Sequence, residues 1–428
     1  MKTHLLTPLS KAAALSLAIS ACGDDNPRRP GTDTTTDDTV EPGDVGDTAD
    51  DVAATGDTST SDDTSQTEDT STSNDTTAGD TGSVEDTTPP ACSADDRAAC
   101  LYEPAATYEV QTARIDGLTY TDITGVQRNV NIAAYRPLQA PTPMPVVLLS
   151  HGGASGKDNP LNSMEHWAPV FAEAGYLAVA IAHEGRDEAS YQALCAELAT
   201  NPDHPCSVKV SWDRPHDVRR VLDYLEAQNE GGPLAGAIDL TRVAHVGHSA
   251  GAGAALMSLG ATRNFRCALP FGFEDPDQDC QVADLVSLAE PRIAVALSLS
   301  PQGPGNEGFM AESYEPVTKP FMMMTGANDG DPGEPENRRS IWPLLPTGNK
   351  YLLWIEDQGA KHTLFEGSVE ACEPIAGANK CRAMRSAIFA TGLAFIDAHL
   401  REVPAAAAWL GSGDLETAGG ELFEYERK

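Results

Sequence analysis

Nucleophilic chemistry needs few residue types, and this chain carries them in a usable order. Gly247-His248-Ser249-Ala250-Gly251 matches G-x-S-x-G. A serine in that setting is expected on a sharp strand-to-helix turn, which pushes its hydroxyl outward. The helix N-terminus there favours developing negative charge. The flanking glycines suit a strained, crowded turn. A serine hydroxyl is a poor nucleophile until a base takes its proton. Of ten histidines, only His362 combines a position after the serine with a loop following a strand-like run; His399 lies deep in a helical pattern. A third group must orient the imidazole and stabilise its cation. Asp329, in Gly326-Ala327-Asn328-Asp329, gives the order Ser, Asp, His, with Asp331 as the alternative. Attack on a carbonyl creates an oxyanion that wants two N–H donors. One is expected from the backbone of Ala250, directly after the nucleophile. The other is expected from His151-Gly152-Gly153-Ala154, with Gly153 preferred over Gly152. Together these groups describe acyl transfer to water, a reaction that calls for no metal and no organic cofactor.

Elements that could hold such a set are legible as apolar runs bounded by turn residues. Val146–Ser150, Leu177–Ala182, Val243–Val246, Ile293–Leu299, Phe321–Thr325 and Tyr351–Ile355 read as buried strands. Asp217–Gln228 and Ala250–Leu259 read as helices, and Ala383–Leu400 as a long closing helix. Thr107–Ile115 and Asn129–Tyr135 suggest an antiparallel hairpin ahead of them. Alternating strands and helices imply an α/β fold, with a mostly parallel central sheet covered by helices on both faces. Segments 184–212, 264–291 and 302–317 break the alternation and are expected as insertions at the catalytic end of the sheet. Trp167, Trp212, Phe309 and Trp342 fall in or near those top-side loops, where they could line an acyl or alcohol pocket or belong to the core.

With these residues in view, the chain resembles the serine-type α/β-hydrolases. More narrowly it is similar to the bacterial predicted dienelactone hydrolases and to relatives of the platelet-activating-factor acetylhydrolases and polyester cutinases. The likeness spans about residues 107–400. It rests on Ser150-His151-Gly152-Gly153, Arg214-Pro215-His216-Asp217-Val218 ahead of Val221-Leu222-Asp223, Gly247-His248-Ser249-Ala250-Gly251, Gly326-Ala327-Asn328-Asp329 and Lys361-His362. The resemblance implies an α/β-hydrolase fold, an ester substrate, and a second oxyanion donor two residues after the histidine, here Gly153. True dienelactone hydrolases use a cysteine where Ser249 stands. Where the relatives often have Phe-Gly-Gly after the nucleophile, this chain has Ala250-Gly251-Ala252.

The first 90 residues read differently. Lys2 and Lys11 precede the apolar run Ala12–Ala21, the pattern of a secretory signal peptide. Ile19-Ser20-Ala21-Cys22 resembles the bacterial lipobox, which implies cleavage before Cys22 and lipidation of that residue. Acyl chains would anchor the protein by burying methylenes, roughly 0.8 kcal/mol each. Residues 23–90 hold 19 acidic and two basic residues, with no aromatic side chain and nothing apolar larger than valine. Such a stretch cannot bury enough surface to offset its ordering entropy and is expected to be an extended, disordered tether. The organisation expected is thus a lipoprotein signal peptide (1–22), an acidic linker (23–90) and a catalytic domain (91–428), exported to the cell envelope and monomeric.

The net charge is −35, from 29 basic and 64 acidic residues. A nucleic-acid partner needs a basic surface and is not expected. Eight cysteines follow the tether as four local clusters of two, which predicts Cys92–Cys100, Cys195–Cys206, Cys267–Cys280 and Cys372–Cys381. Sequence alone permits 105 pairings of eight cysteines. Disulfides suit an oxidising compartment. No Cys-x-x-Cys spacing supports a zinc site. Glu274-Asp275-Pro276-Asp277-Gln278-Asp279 lacks the glycine and terminal acid of a calcium loop and reads as a solvated acidic loop. Two rivals to an esterase stay open: a serine peptidase or amidase on the same fold, and an inactive surface-binding lipoprotein.

Overall fold

The computed structural model describes residues 92–428 apart from 154, 155, 157, 199–211, 266–280 and 331–333. The segments expected as signal peptide and linker, with Cys22, therefore lie outside the described residues, as does Asp331.

Nine strands form one sheet. In chain order they are β1 (Val110–Thr121), β2 (Gln127–Pro137), β3 (Met144–Ser150), β4 (Leu177–His183), β5 (Ile238–His248), β8 (Ile293–Leu299), β9 (Phe321–Gly326), β10 (Lys350–Ile355) and β11 (Phe423–Arg427). Thr262–Arg263 (β6) and Val286–Ser287 (β7) make a separate two-stranded ribbon. The order across the sheet is β1-β2-β4-β3-β5-β8-β9-β10-β11. Strands from β4 to β10 run parallel; β1/β2, β2/β4 and β10/β11 are antiparallel.

Every residue of β3 and β4 is buried. The reason is that both faces of the sheet are covered, so apolar side chains are needed at successive positions. Val147 and Leu149 enter a core with Trp167, Phe171 and Phe395. Val146 and Leu148 enter a second core with Val218, Leu222 and Leu256. The helices Trp167–Glu173 and Ala378–Leu400 thus cover one face, and Asp213–Gly231 and Ala250–Leu259 the other.

The α/β class and the mostly parallel sheet agree with the sequence reading, and so does the hairpin before it, as β1 and β2. The strands run longer than the apolar runs; β5 starts at Ile238, where Ile238 and Asp239 pair with Met144 and Pro145, and a bulge follows before pairing resumes at Val243. Ala378–Leu400 starts five residues earlier than expected and does not close the chain. It is followed by helices Pro404–Gly411 and Asp414–Gly419 and by β11, which pairs with β10 at the sheet edge. Segment 184–212 carries a helix, Glu188–Leu198. Trp167, Trp212 and Phe309 are buried core residues, and Trp342 packs against the second core. No helix among the described residues is long and apolar enough to cross a membrane.

Candidate active site

The chain leaves β3 toward one face of the sheet and leaves β5 toward the other, and these two strands are neighbours. Such a reversal opens a crevice at the carboxyl ends of the strands, where ligands bind in open α/β sheets. Ser150 of β3 pairs with Gly247 of β5, so the loops that start at His151 and Ser249 emerge side by side.

Ser249 occupies the turn between β5 and the helix Ala250–Leu259, at φ 53° and ψ −118°. A non-glycine residue there is strained, and such strain gathers at functional sites. The glycines explain how the turn fits. A Cβ on Gly247 would lie 2.0 Å from the carbonyl oxygen of Gly251, and one on Gly251 would lie 2.0 Å from that of Ser150. The helix starts at once, and its first internal bond runs from the N–H of Gly253 to the carbonyl of Ser249. The Ala250 N–H is therefore one of the first-turn donors that no helical carbonyl can satisfy.

Asp329 and His362 leave β9 and β10, which are adjacent and parallel. A bridge between Asn328 and Lys361 brings their loops together, and the Asn328 side chain donates to the Gln358 carbonyl. His362 Nδ1 lies 2.7 Å from Asp329 Oδ1. Thr325 donates to the other carboxylate oxygen at 2.7 Å. Arg338 Nε donates to the Asp329 carbonyl at 2.9 Å and stands 3.3 Å from Oδ1. Asp329 is fully buried, which works against its charge. The hydrogen bond from His362 and the Arg338 guanidinium outweigh this and hold the carboxyl below the usual carboxylate range. An ionised Asp329 makes His362 Nδ1 the donor, so the lone pair of a neutral ring sits on Nε2.

His248 connects the two halves. Its ring lies 4.5 Å from that of His362, and its Nε2 donates to the His362 carbonyl at 3.0 Å. His362 is thereby seated on the residue before Ser249. Burial, with the neighbouring His362 adding to it, pushes the His248 pKa well below the usual value, so this ring stays neutral. Gly152 packs onto the same place: a Cβ there would come within 2.7 Å of His248 Nδ1 and 3.1 Å of Ser249 Cβ. Gly153, the preferred second donor, follows at φ 36°.

Behind the loop runs a buried polar chain. Ser150 Oγ lies 2.8 Å from both His183 Nε2 and His245 Nε2. His183 Nδ1 meets Asp217 at 2.9 Å, Tyr120 donates to Asp217, and His245 Nδ1 lies 2.6 Å from Ser258 Oγ. Burial pushes His183 well below the ordinary histidine pKa and His245 down to about 3.

Ser249, His362, Asp329, Ala250, Gly152 and Gly153 thus all lie at the carboxyl end of the sheet. Thr325 and Arg338, which hold Asp329, escaped the sequence patterns. Thr325 was detectable as a hydroxyl closing an apolar strand. Arg338 had no signal, because its importance comes only from the fold returning a helix to β9. Two of the four expected disulfides are present, Cys92–Cys100 and Cys372–Cys381. The other two fall on Cys206, Cys267, Cys280 and the side chain of Cys195, outside the described residues, as does the acidic loop Glu274–Asp279. No protein-family model matches the chain, and no curated protein matches it.

Proposed function

We propose that this chain is a serine carboxylic-ester hydrolase with an α/β-hydrolase fold. The observation that carries the reading is the strained strand–turn–helix at Ser249, whose preceding residue, His248, packs on a histidine that a buried carboxylate orients. The chain order Ser, Asp, His and the glycine loop after β3 support the hydrolase fold.

In the reading proposed, His362 Nε2 takes the Ser249 proton as Oγ attacks the ester carbonyl. The carbonyl π pair moves to oxygen, where the amides of Ala250 and Gly153 receive it. As the oxyanion collapses, the C–O bond to the leaving group breaks and His362 returns the proton to the departing alcohol. Water then attacks the acyl-enzyme through the same base, releasing the acid and restoring Ser249. Asp329 stays ionised throughout and stabilises the imidazolium. The Cys22 pattern and acidic linker support export and lipid anchoring, which places this chemistry at a cell envelope. A monomer acting on small or polymeric esters is the simplest form of the proposal.

Treatment with a fluorophosphonate should label Ser249, and Ser249→Ala should lose both the label and p-nitrophenyl acetate turnover with nearly unchanged Tm. Retained turnover in that variant sinks the assignment. An unlabelled, inactive wild type favours the binding-protein rival. Hydrolysis of the matching acetanilide at a comparable rate favours the amidase.

A further inference from the structure

Residues 151–153 belong to no strand or helix, yet all three of their carbonyls are held by buried side chains. Arg214 Nη1 donates to the carbonyl of His151, and Nη2 donates to that of Gly153 at 2.9 Å. Between them, the Gly152 carbonyl accepts from His151 Nδ1 at 2.9 Å. The His151 ring is fixed in turn, because its Nε2 accepts from the His183 backbone N–H at 3.1 Å. His183 is oriented by Asp217, three residues after Arg214 in the same helix. One turn of the helix Asp213–Gly231 therefore holds the loop directly through Arg214 and orients the His183 ring beside it through Asp217.

A trans peptide points its C=O and its N–H in opposite directions. Holding the Gly152 carbonyl aims the Gly153 N–H away from the His151 ring. Holding the carbonyls of 151 and 153 stops the flanking planes from turning. Consecutive glycines would otherwise leave these planes free, since glycine has the widest backbone choice.

The means chosen is expensive. Arg214 is 2 % exposed, and among the described residues no carboxylate lies within 4.0 Å of it. Burial pushes its pKa down to about 10, against the opposing pull of the Asp217 and Glu307 charges. A buried charge without a close counter-ion is costly unless it has a use. The Arg214 guanidinium sets a positive charge against two carbonyls of the loop. It therefore suits a loop that must receive negative charge.

We propose that Arg214 is a positioning residue that sets the second oxyanion donor by locking the peptide planes on either side of the Gly152–Gly153 peptide, whose N–H is that donor. The inference rests on the esterase reading above and deepens it.

The test compares Arg214→Lys and Arg214→Met with the wild-type chain, using p-nitrophenyl acetate and its thionoester analogue. Sulfur is larger and accepts hydrogen bonds poorly, so a well-aimed oxyanion site penalises the thionoester. In Arg214→Met, kcat for the oxygen ester should fall roughly 100-fold, the usual scale for one lost donor, with KM within about twofold of wild type. Its oxygen-to-sulfur rate ratio should fall with it. Arg214→Lys keeps the charge and one donor and should sit between the two. If Arg214→Met is too unstable, Arg214→Lys alone reads the ratio. Equal loss of rate on both esters, or an unchanged kcat, overturns the inference while leaving the esterase reading intact. A wild type that turns over neither ester overturns both, and shows it before any variant is made.

Discussion

At the scale of single residues, Asp329 is the sharpest case of charge placed by contacts. It is fully buried, and three side chains reach its carboxyl or its peptide. Removing its charge should leave the fold and change the base. Asp329→Asn keeps the shape but lets an amide donate to His362 Nδ1, which moves the ring proton to Nε2 and leaves no lone pair facing the nucleophile. Turnover at neutral pH should drop by about four orders of magnitude, measured as kcat on p-nitrophenyl acetate; a drop under tenfold refutes the role. Its pKa adds a stability sign. A carboxyl held below its unfolded value near 3.9 contributes stability above that pH and loses it as pH falls through the lower folded value. The sequence named Ser249, His362 and Asp329 because the expected nucleophile, base and orienting carboxylate each carry a local signature of strand end and turn. Arg338 reaches the Asp329 carbonyl nine residues before it and Arg214 the Gly153 carbonyl 61 residues before it, and no local pattern announces either contact.

At the scale of elements, the sheet buries histidines that cannot carry charge. His151, His183 and His248 are pushed well below the ordinary value and His245 to about 3, burial being the chief cause in each. A histidine with a lowered folded pKa adds stability above its unfolded value near 6.5, and that stability drains away as pH falls below it. For His245 alone the loss between pH 7 and pH 5 is roughly 2 kcal/mol. Asp217 acts in the opposite sense: burial raises its pKa to about 6, so it favours the fold as pH falls from 6 toward 4. Four histidines outweigh one carboxyl, and the urea midpoint should fall on going from pH 7 to pH 5. His245→Gln should start less stable and lose less over that interval; parallel losses in the two proteins contradict the account. The parallel strands were readable because full burial demands continuous apolar runs. The start of β5 was not, since only Ile238 and Asp239 pair with β3 there, and a bulge with the polar Thr241 and Arg242 separates them from Val243. Phe423-Glu-Tyr-Glu-Arg did alternate apolar with polar, yet five residues at the end of a chain are a weak signal.

At the scale of the whole described domain, the two observed disulfides differ in what they fasten. Cys92–Cys100 ties the entry of the domain to its last helices: the Cys100 carbonyl accepts from Trp409 Nε1 at 2.8 Å, and the ring of nearby Tyr102 lies 6.0 Å from that of Trp409. Cys372 and Cys381 are both fully buried in the first core. Cys372 Sγ packs under the loop that carries the base, where a Cβ on Gly359 would come within 2.7 Å of it. Lys380, beside Cys381, pairs with Asp357 at the start of that loop. Closing loops of this length contributes about 2–3 kcal/mol each in the chain-entropy view, and either loss should lower Tm by a few degrees. Function should separate them. Replacing Cys92 and Cys100 by alanine should leave kcat within about twofold, because that bridge lies away from β9 and β10. Replacing Cys372 and Cys381 should lower Tm and also reduce kcat by roughly tenfold, since a small displacement of a base is enough for that. Calorimetry and ester turnover on the two double variants decide it. Equal kcat in both would mean that Asp329 and His248 alone fix His362, and that the buried bridge serves stability only.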